Sequence, residues 1–152
     1  MKRPIQHGVE GTDTDRVMSV MNGLADHAAT FAAIESSVRA IAELMPARVS
    51  LRQGLAFIFV VHANARGRRV TMTDVRQSFS ETEHGSVSVG QSIAKSFQVF
   101  FEASKQEPNG LNWVRQEADR DDRRKKYLVI TAEGAEVALK MVAPPQIEGD
   151  EA

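Results

Sequence analysis

The chain contains no cysteine, which removes disulfides, thiolate metal sites and thiol redox sensing from the devices open to it. Long hydrophobic runs are equally absent. No apolar stretch approaches the ~18 residues a membrane helix needs, and residues 1–12, MKRPIQHGVEGT, lack the apolar centre of a secretion signal. Catalytic signatures are missing too. His7, His27, His62 and His84 are scattered without ligand spacing, and there is no GxSxG, no phosphate-cradling glycine loop and no acid pair in an apolar setting. A lone histidine such as His62, within an apolar segment, reads as a hydrogen-bonded core residue rather than a metal ligand. The expectation left by these absences is a soluble, cytoplasmic, non-enzymatic chain with no metal and no cofactor.

What remains is a chain of 152 residues, 42% hydrophobic and 26% charged, enough for one packed domain with an accessory helix or two. Its formal net charge of -1 argues against coating nucleic acid by bulk charge. The distribution says more than the sum. Between Arg48 and Arg76 the basic residues Arg48, Arg52, Arg66, Arg68, Arg69 and Arg76 face a single acid, Asp74, whereas the tail beyond Pro145 holds Glu148, Asp150 and Glu151 with no base.

From Asp15 to Met45 there is no proline and one internal glycine, and apolar residues recur at Val17, Met21, Leu24, Ala28, Phe31, Val38, Ala42 and Met45. Gaps alternating four and three are the rhythm of a helix seam. Thr12 or Asp13 is available to cap its start, and Pro46 stops it. A helix of about 30 residues would be roughly 45 Å long, more than a small domain covers, so dimerisation through this stripe is the expected use. Residues 50–65 form a second, core helix, apolar nearly all round in its latter half, with Ser50 as cap. A turn at 65–69 containing Gly67 leads to a short helix capped by Thr71 or Thr73 and ending near Phe79. Another helix starts near Ser86 or Ser88 and runs to about Ser104. On it Val89, Ile93, Phe97, Phe100 and Phe101 form an apolar stripe that points to core, while Ser88, Gln91, Ser92, Lys95 and Gln98 lie off it. Small hydroxyls, an amide and a lysine are what a helix in a DNA major groove presents. Gly90 is expected at a close backbone approach between helices.

Residues 111–134, LNWVRQEADRDDRRKKYLVITAEG, carry the most specific signal. Strand-like runs at 111–117 and 126–131 flank a tip where Arg120, Arg123, Arg124, Lys125 and Lys126 alternate with Asp119, Asp121 and Asp122. Trp113, Tyr127, Val129 and Ile130 provide a sheet face. The tip Asp119-Arg120-Asp121-Asp122-Arg123-Arg124, followed by an apolar strand and Thr131-Ala132-Glu133-Gly134, resembles the wing of MarR-type winged helix-turn-helix transcription regulators, with Ile130 where that family usually has Leu. The resemblance implies that Arg123 or Arg124 reaches a minor groove, whose narrow form has enhanced negative potential, while Asp119 or Asp122 braces it. It also implies possible control by a small molecule, though no residue pattern marks a pocket, and without cysteine the peroxide-sensing branch of the family is excluded. Two departures stand out. The connection at residues 80–85, SETEHG, is longer and more acidic than the family's tight turn, and only residues 135–142 are available as helix before Pro144-Pro145, where the family usually has two helices completing the dimer.

The fold expected is therefore mostly α with a small β-hairpin: a flexible start at 1–12, a long dimerisation helix at 13–46, a winged helix-turn-helix domain at 50–134, a short helix at 135–143 and an acidic flexible tail at 144–152. The function expected is sequence-specific binding of double-stranded DNA by a homodimer on a roughly palindromic operator. Expected base-reading residues are Ser88, Gln91, Ser92 and Lys95, and expected wing residues Arg120, Arg123, Arg124 and Lys125. A protein-interaction adaptor that keeps a winged fold without specific DNA binding is the alternative, separated by affinity for duplex DNA at moderate salt.

Overall fold

A computed structural model describes residues 10–82 and 87–142, with side chains described at 12–79 and 92–142. Within these bounds the chain is mostly helical with one two-stranded antiparallel sheet, an architecture compatible with a winged helix. No helix among the described residues is long and apolar enough to cross a membrane. The chain divides into two compact units, one ending at Arg39 and one starting at Ala40.

The first unit is helical, but as two helices rather than the single one expected. Helix α1 spans Glu10–Asp26 and α2 spans Ala28–Leu44, of which the part to Arg39 belongs to this unit. The break is a tightened turn at His27, whose N–H donates to the Leu24 carbonyl at 3.0 Å, three residues back instead of four. Gly23 and Asp26, both weak helix formers, precede it. Thr12 and Asp13 lie inside α1, so neither is its cap. Val17, Met18, Val20, Met21, Leu24, Phe31, Ile34 and Val38 are between 44% and 59% exposed in the single chain, and Ala28 is exposed as well.

The second unit is built on α3, Leu51–Ala65, whose start is fixed by a reciprocal capping box. The Gln53 N–H donates to Ser50 Oγ, and the Ser50 N–H donates to Gln53 Oε1. The Gln53 amide also donates to the Ser96 carbonyl at 2.9 Å, tying α3 to the end of α5. Residues Ala56, Phe57, Val60 and Ala63 face inward and are buried. The helix is not apolar all round, however: His62 is exposed and not a core residue, because it sits about a third to half a turn away from the face of Ala56, Val60 and Ala63. Gly67, at φ 70°, closes α3 by letting the N–H groups of Gly67 and Arg68 turn back to the carbonyls of Asn64 and Ala63.

That reversal lays Val70 beside the sheet. Helix α4, Met72–Thr82, then starts at Thr71, one of the two candidate caps, where Thr71 Oγ1 and the Asp74 carboxylate each receive the other residue's N–H. It continues past Phe79, so Ser80 to Thr82 are helical and not part of the connection; residues 83–86 lie outside the described residues. Helix α5, Val87–Ser96, is shorter than the helix expected to reach Ser104. The chain tightens into a 3₁₀ helix at Phe97–Phe100 and becomes extended at Phe101. The three-residue repeat lets Phe97 and Phe100 eclipse, and with Val99 both are buried. Phe57, Phe100 and Trp113 then form one aromatic group with ring centroids 5.3–6.0 Å apart.

Strand β1, Val114–Ala118, pairs antiparallel with β2, Lys126–Ile130, in the register Val114 to Ile130 through Ala118 to Lys126. The first strand begins later than the pattern at 111 suggests, because the N–H groups of Leu111, Asn112 and Trp113 go to the carbonyls of Val99, Phe101 and Phe100, and Asn112 sits at φ 57°. Helix α6, Ala132–Val142, starts earlier than expected. Thr131 Oγ1 caps it by accepting the Gly134 N–H at 3.0 Å, while its own hydroxyl donates to the Asn112 carbonyl at 2.7 Å.

The two glycines at positions 23 and 134 should respond oppositely to alanine. A Cβ on Gly134 would sit 2.9 Å from the carbonyl carbon of Trp113 and closer still to its oxygen, whereas one on Gly23 meets nothing within 4 Å. Gly134→Ala should destabilise by about 1–3 kcal/mol or more, and Gly23→Ala should leave stability unchanged or raise it by up to about 1 kcal/mol. Urea denaturation of both variants checks the pair; equal midpoints would contradict the packing at Gly134.

Candidate nucleic-acid interface

The tip of the hairpin is held by two carboxylates, Asp119 foremost. Asp119 Oδ1 accepts the N–H groups of Asp121 at 2.8 Å and Asp122 at 3.2 Å, and its Oδ2 accepts the Tyr127 hydroxyl at 2.7 Å. The Asp119 N–H in turn donates to the Lys125 carbonyl, closing the loop across its base. Asp122 acts one turn further on, its Oδ1 accepting the Arg124 N–H at 3.1 Å. Two of the three acids interleaved with the arginines, Asp119 and Asp122, are thus acceptors for the loop's backbone. Asp119 and Asp122 hold the loop through main-chain N–H groups, and neither grips a guanidinium.

The cations are consequently turned outward. Arg120, Arg123, Arg124 and Lys125 are all exposed, and among the described residues none of the three arginines is ion-paired with Asp119, Asp121 or Asp122. Tyr127, half-buried, links this tip to the body of the unit. The Arg69 guanidinium carbon lies 4.7 Å from its ring centroid and the Lys125 ammonium 5.6 Å. Thr71 forms a single bridge to Tyr127 in the antiparallel sense.

Of the four residues expected to read bases, Ser92 and Lys95 are exposed on α5, three residues apart and therefore on one face, with Ile93 and Phe97 buried on the other. Ser88 and Gln91 belong to the same helix, but their side chains lie outside the described residues, as do the surroundings of Gly90. The hairpin and α5 are parts of the same unit. Sequence reasoning assigned Tyr127 only to a sheet face and gave Asn64 no role. The clue for Tyr127 was its placement directly after the basic run; for Asn64, which bonds to β2 across 64 positions of chain, no local pattern exists.

Comparison with protein-family models, with curated proteins and with solved structures found no match to this chain.

The Asp119 carboxyl is held below the usual carboxylate range, first by the Tyr127 hydroxyl, then by the N–H groups of Asp121 and Asp122, with Lys125 adding a smaller attraction and burial opposing. A depressed pKa means the bracing is complete at neutral pH, is retained as pH falls through the ordinary carboxylate range, and is lost only below it. Tyr127→Phe should move the Asp119 titration upward, toward the ordinary value, and accelerate hydrogen exchange at Asp121 and Asp122. Carboxyl-carbon NMR across a pH series reads the first effect directly, and an unmoved midpoint would contradict the assignment of Tyr127 as the leading partner.

Proposed function

We propose that the chain is a sequence-specific, double-stranded DNA-binding transcription regulator of MarR type, a winged helix-turn-helix protein that acts as a homodimer and not as an enzyme. In this reading α3, α4 and α5 with the hairpin form the winged domain, α5 enters the major groove, and the tip at 119–125 enters the adjacent minor groove. The observation that carries it is the hairpin tip, in which exposed arginines are presented on a loop where two of the three acids, Asp119 and Asp122, accept from the loop's own backbone. A loop pre-organised in this way loses little conformational freedom on entering a groove. Ser92 and Lys95, exposed on α5, are suited to the polar edges of bases, and Ser88 and Gln91 complete that proposed surface.

Homodimerisation is proposed from the N-terminal helices. Eight large apolar side chains there are roughly half exposed, and monomeric proteins rarely leave so long an apolar strip in water. A second copy related by two-fold symmetry covers like with like. Such a dimer calls for half-sites about one helical turn, ~10 bp, apart.

Two measurements test the reading. Arg123→Ala and Arg124→Ala should each weaken duplex binding and flatten its dependence on salt by about one counterion equivalent, as read by fluorescence anisotropy over a salt series. Unchanged affinity and slope in both would remove the wing from the interface, and no duplex affinity at moderate salt in the unmodified protein would leave the adaptor role instead. Separately, Leu24→Glu with Phe31→Glu should convert a dimer to a monomer that keeps the second unit folded and binds a two-half-site duplex far more weakly. Light scattering of the unmodified protein as a monomer at micromolar concentration would exclude this assembly.

A further inference from the structure

A cleft of about 680 Å³ opens between the start of α4 and the hairpin. Its wall carries five cations, Arg69, Arg76, Arg124, Lys125 and Lys126, all exposed, against the single acid Asp74. That acid is already engaged, receiving the N–H of Thr71 at 2.8 Å and its hydroxyl at 3.1 Å. The cations come from three separate stretches of chain: Arg69 from the segment leading into α4, Arg76 from α4 itself, and the remainder from the hairpin. No local property of any one stretch brings them together; the antiparallel bridge between Thr71 and Tyr127 does. Arg69 is further oriented by its approach to the Tyr127 ring. Basic side chains lining one concavity make its potential positive and attract an anion to it.

We propose that this cleft is a phosphate-binding track, holding the sugar–phosphate backbone of one DNA strand beside the groove that the wing tip enters. The inference rests on the DNA-binding reading above and extends it to Arg69 and Lys126. Two features favour duplex backbone over a small anionic effector. The cleft is shallow, open and polar, whereas small-molecule sites are enclosed and mostly apolar. Its lining is also continuous with the wing through Arg124 and Lys125, which belong to both, so a strand lying along the hairpin crosses it without a break. The track supplies affinity and register, not base preference, because phosphates are the same at every position.

The test uses the full chain and a mixed-sequence duplex, with anisotropy measured over a salt series for Arg69→Gln, Lys126→Gln, the double variant, and Lys140→Gln on α6 as a distant exposed control. Glutamine removes the charge while keeping the first two methylenes of the stem and a polar end, and helical circular dichroism verifies each fold. The cleft variants should each lower the salt slope by about 0.9, and the double variant by about twice that. The loss should be the same for all duplex sequences, with Lys140→Gln unchanged. A double variant with the full slope, in a protein that still binds duplex and still loses slope with Arg123→Ala, overturns the track while leaving the DNA-binding reading intact. Absence of duplex binding by the unmodified protein overturns both. Inorganic triphosphate that shifts the Arg69 and Lys126 side-chain NMR signals, with the duplex slope unaffected by either substitution, assigns the cleft to a small anionic ligand and likewise overturns the track.

Discussion

A two-stranded sheet has two open edges, and the outer edge of β2 has to be hydrogen-bonded without a full third strand if the hairpin is to lie against the core. Three groups do this. The Leu128 N–H donates to the Val70 carbonyl at 2.8 Å, the Asn64 amide donates to the Leu128 carbonyl at 3.2 Å, and the Ile130 N–H donates to Asn64 Oδ1 at 3.0 Å. One side-chain amide thereby supplies the acceptor and donor that a neighbouring strand would have supplied. Because Asn64 belongs to the last turn of α3, the bonds fix the hairpin to the helix that contributes Phe57 and Val60 to the core. Buried Leu128, between the two bonds, seals the contact. The hairpin is therefore not a free appendage; its base is set by the core, and only its tip projects.

The other end of the sheet is fixed by the main chain around Trp113. Its N–H donates to the Phe100 carbonyl at 2.8 Å, its carbonyl accepts the Thr131 N–H at 3.0 Å, and its side chain stacks among Phe57 and Phe100. Residue 134 must then be glycine, since α6 passes directly over the Trp113 carbonyl. The four-residue pattern Thr131-Ala132-Glu133-Gly134 thus has a local physical meaning: a threonine caps the helix, and a glycine three positions later lets that helix meet the strand entrance without a Cβ in the way.

These particulars show how much of the molecule was legible beforehand. Helix α3, its Ser50 cap, the Gly67 turn and the second strand at Lys126 were readable because each depends on residues within a few positions of one another. The hairpin tip was readable for the same reason. The break at His27 was not, since it replaces one four-residue hydrogen bond by a three-residue one in a segment whose heptad rhythm continues across it. The end of α5 at Ser96 was missed because Phe97, Phe100 and Phe101 fit a helical stripe as well as they fit a 3₁₀ turn; what decides between them is the demand of Leu111, Asn112 and Trp113 for carbonyl partners, a tertiary term. Likewise Asn64, Tyr127 and Arg69 acquire their roles only from partners distant in sequence, which no pattern in the neighbouring residues foretells. The exposure of His62 shows the same limit, because an apolar run does not say which residue falls on its outward side.

The net charge of -1 counts every aspartate as an equal opponent of the arginines around it, and the hairpin shows why that arithmetic misleads. Asp119 spends its oxygens on two backbone N–H groups and a tyrosine hydroxyl, Asp122 on the Arg124 N–H, and Asp74 on the start of α4. A carboxylate so engaged still contributes its charge at a distance, but it is not available as a contact partner, and in water its field falls off within about 8–10 Å at ordinary ionic strength. The guanidinium groups of the same loop are exposed and, with Asp119 and Asp122 engaged by the backbone, are not held in ion pairs there among the described residues. The ion pairs that do form among described side chains, Arg39 with Glu35 and Arg115 with Glu117, are exposed and lie outside the tip, where such pairs stabilise little. Asp119 and Asp122 directed to backbone and bases directed to solvent are one solution to two demands: a loop of seven residues that must hold its shape without a core, and a surface that must stay cationic in a chain whose total charge is slightly negative.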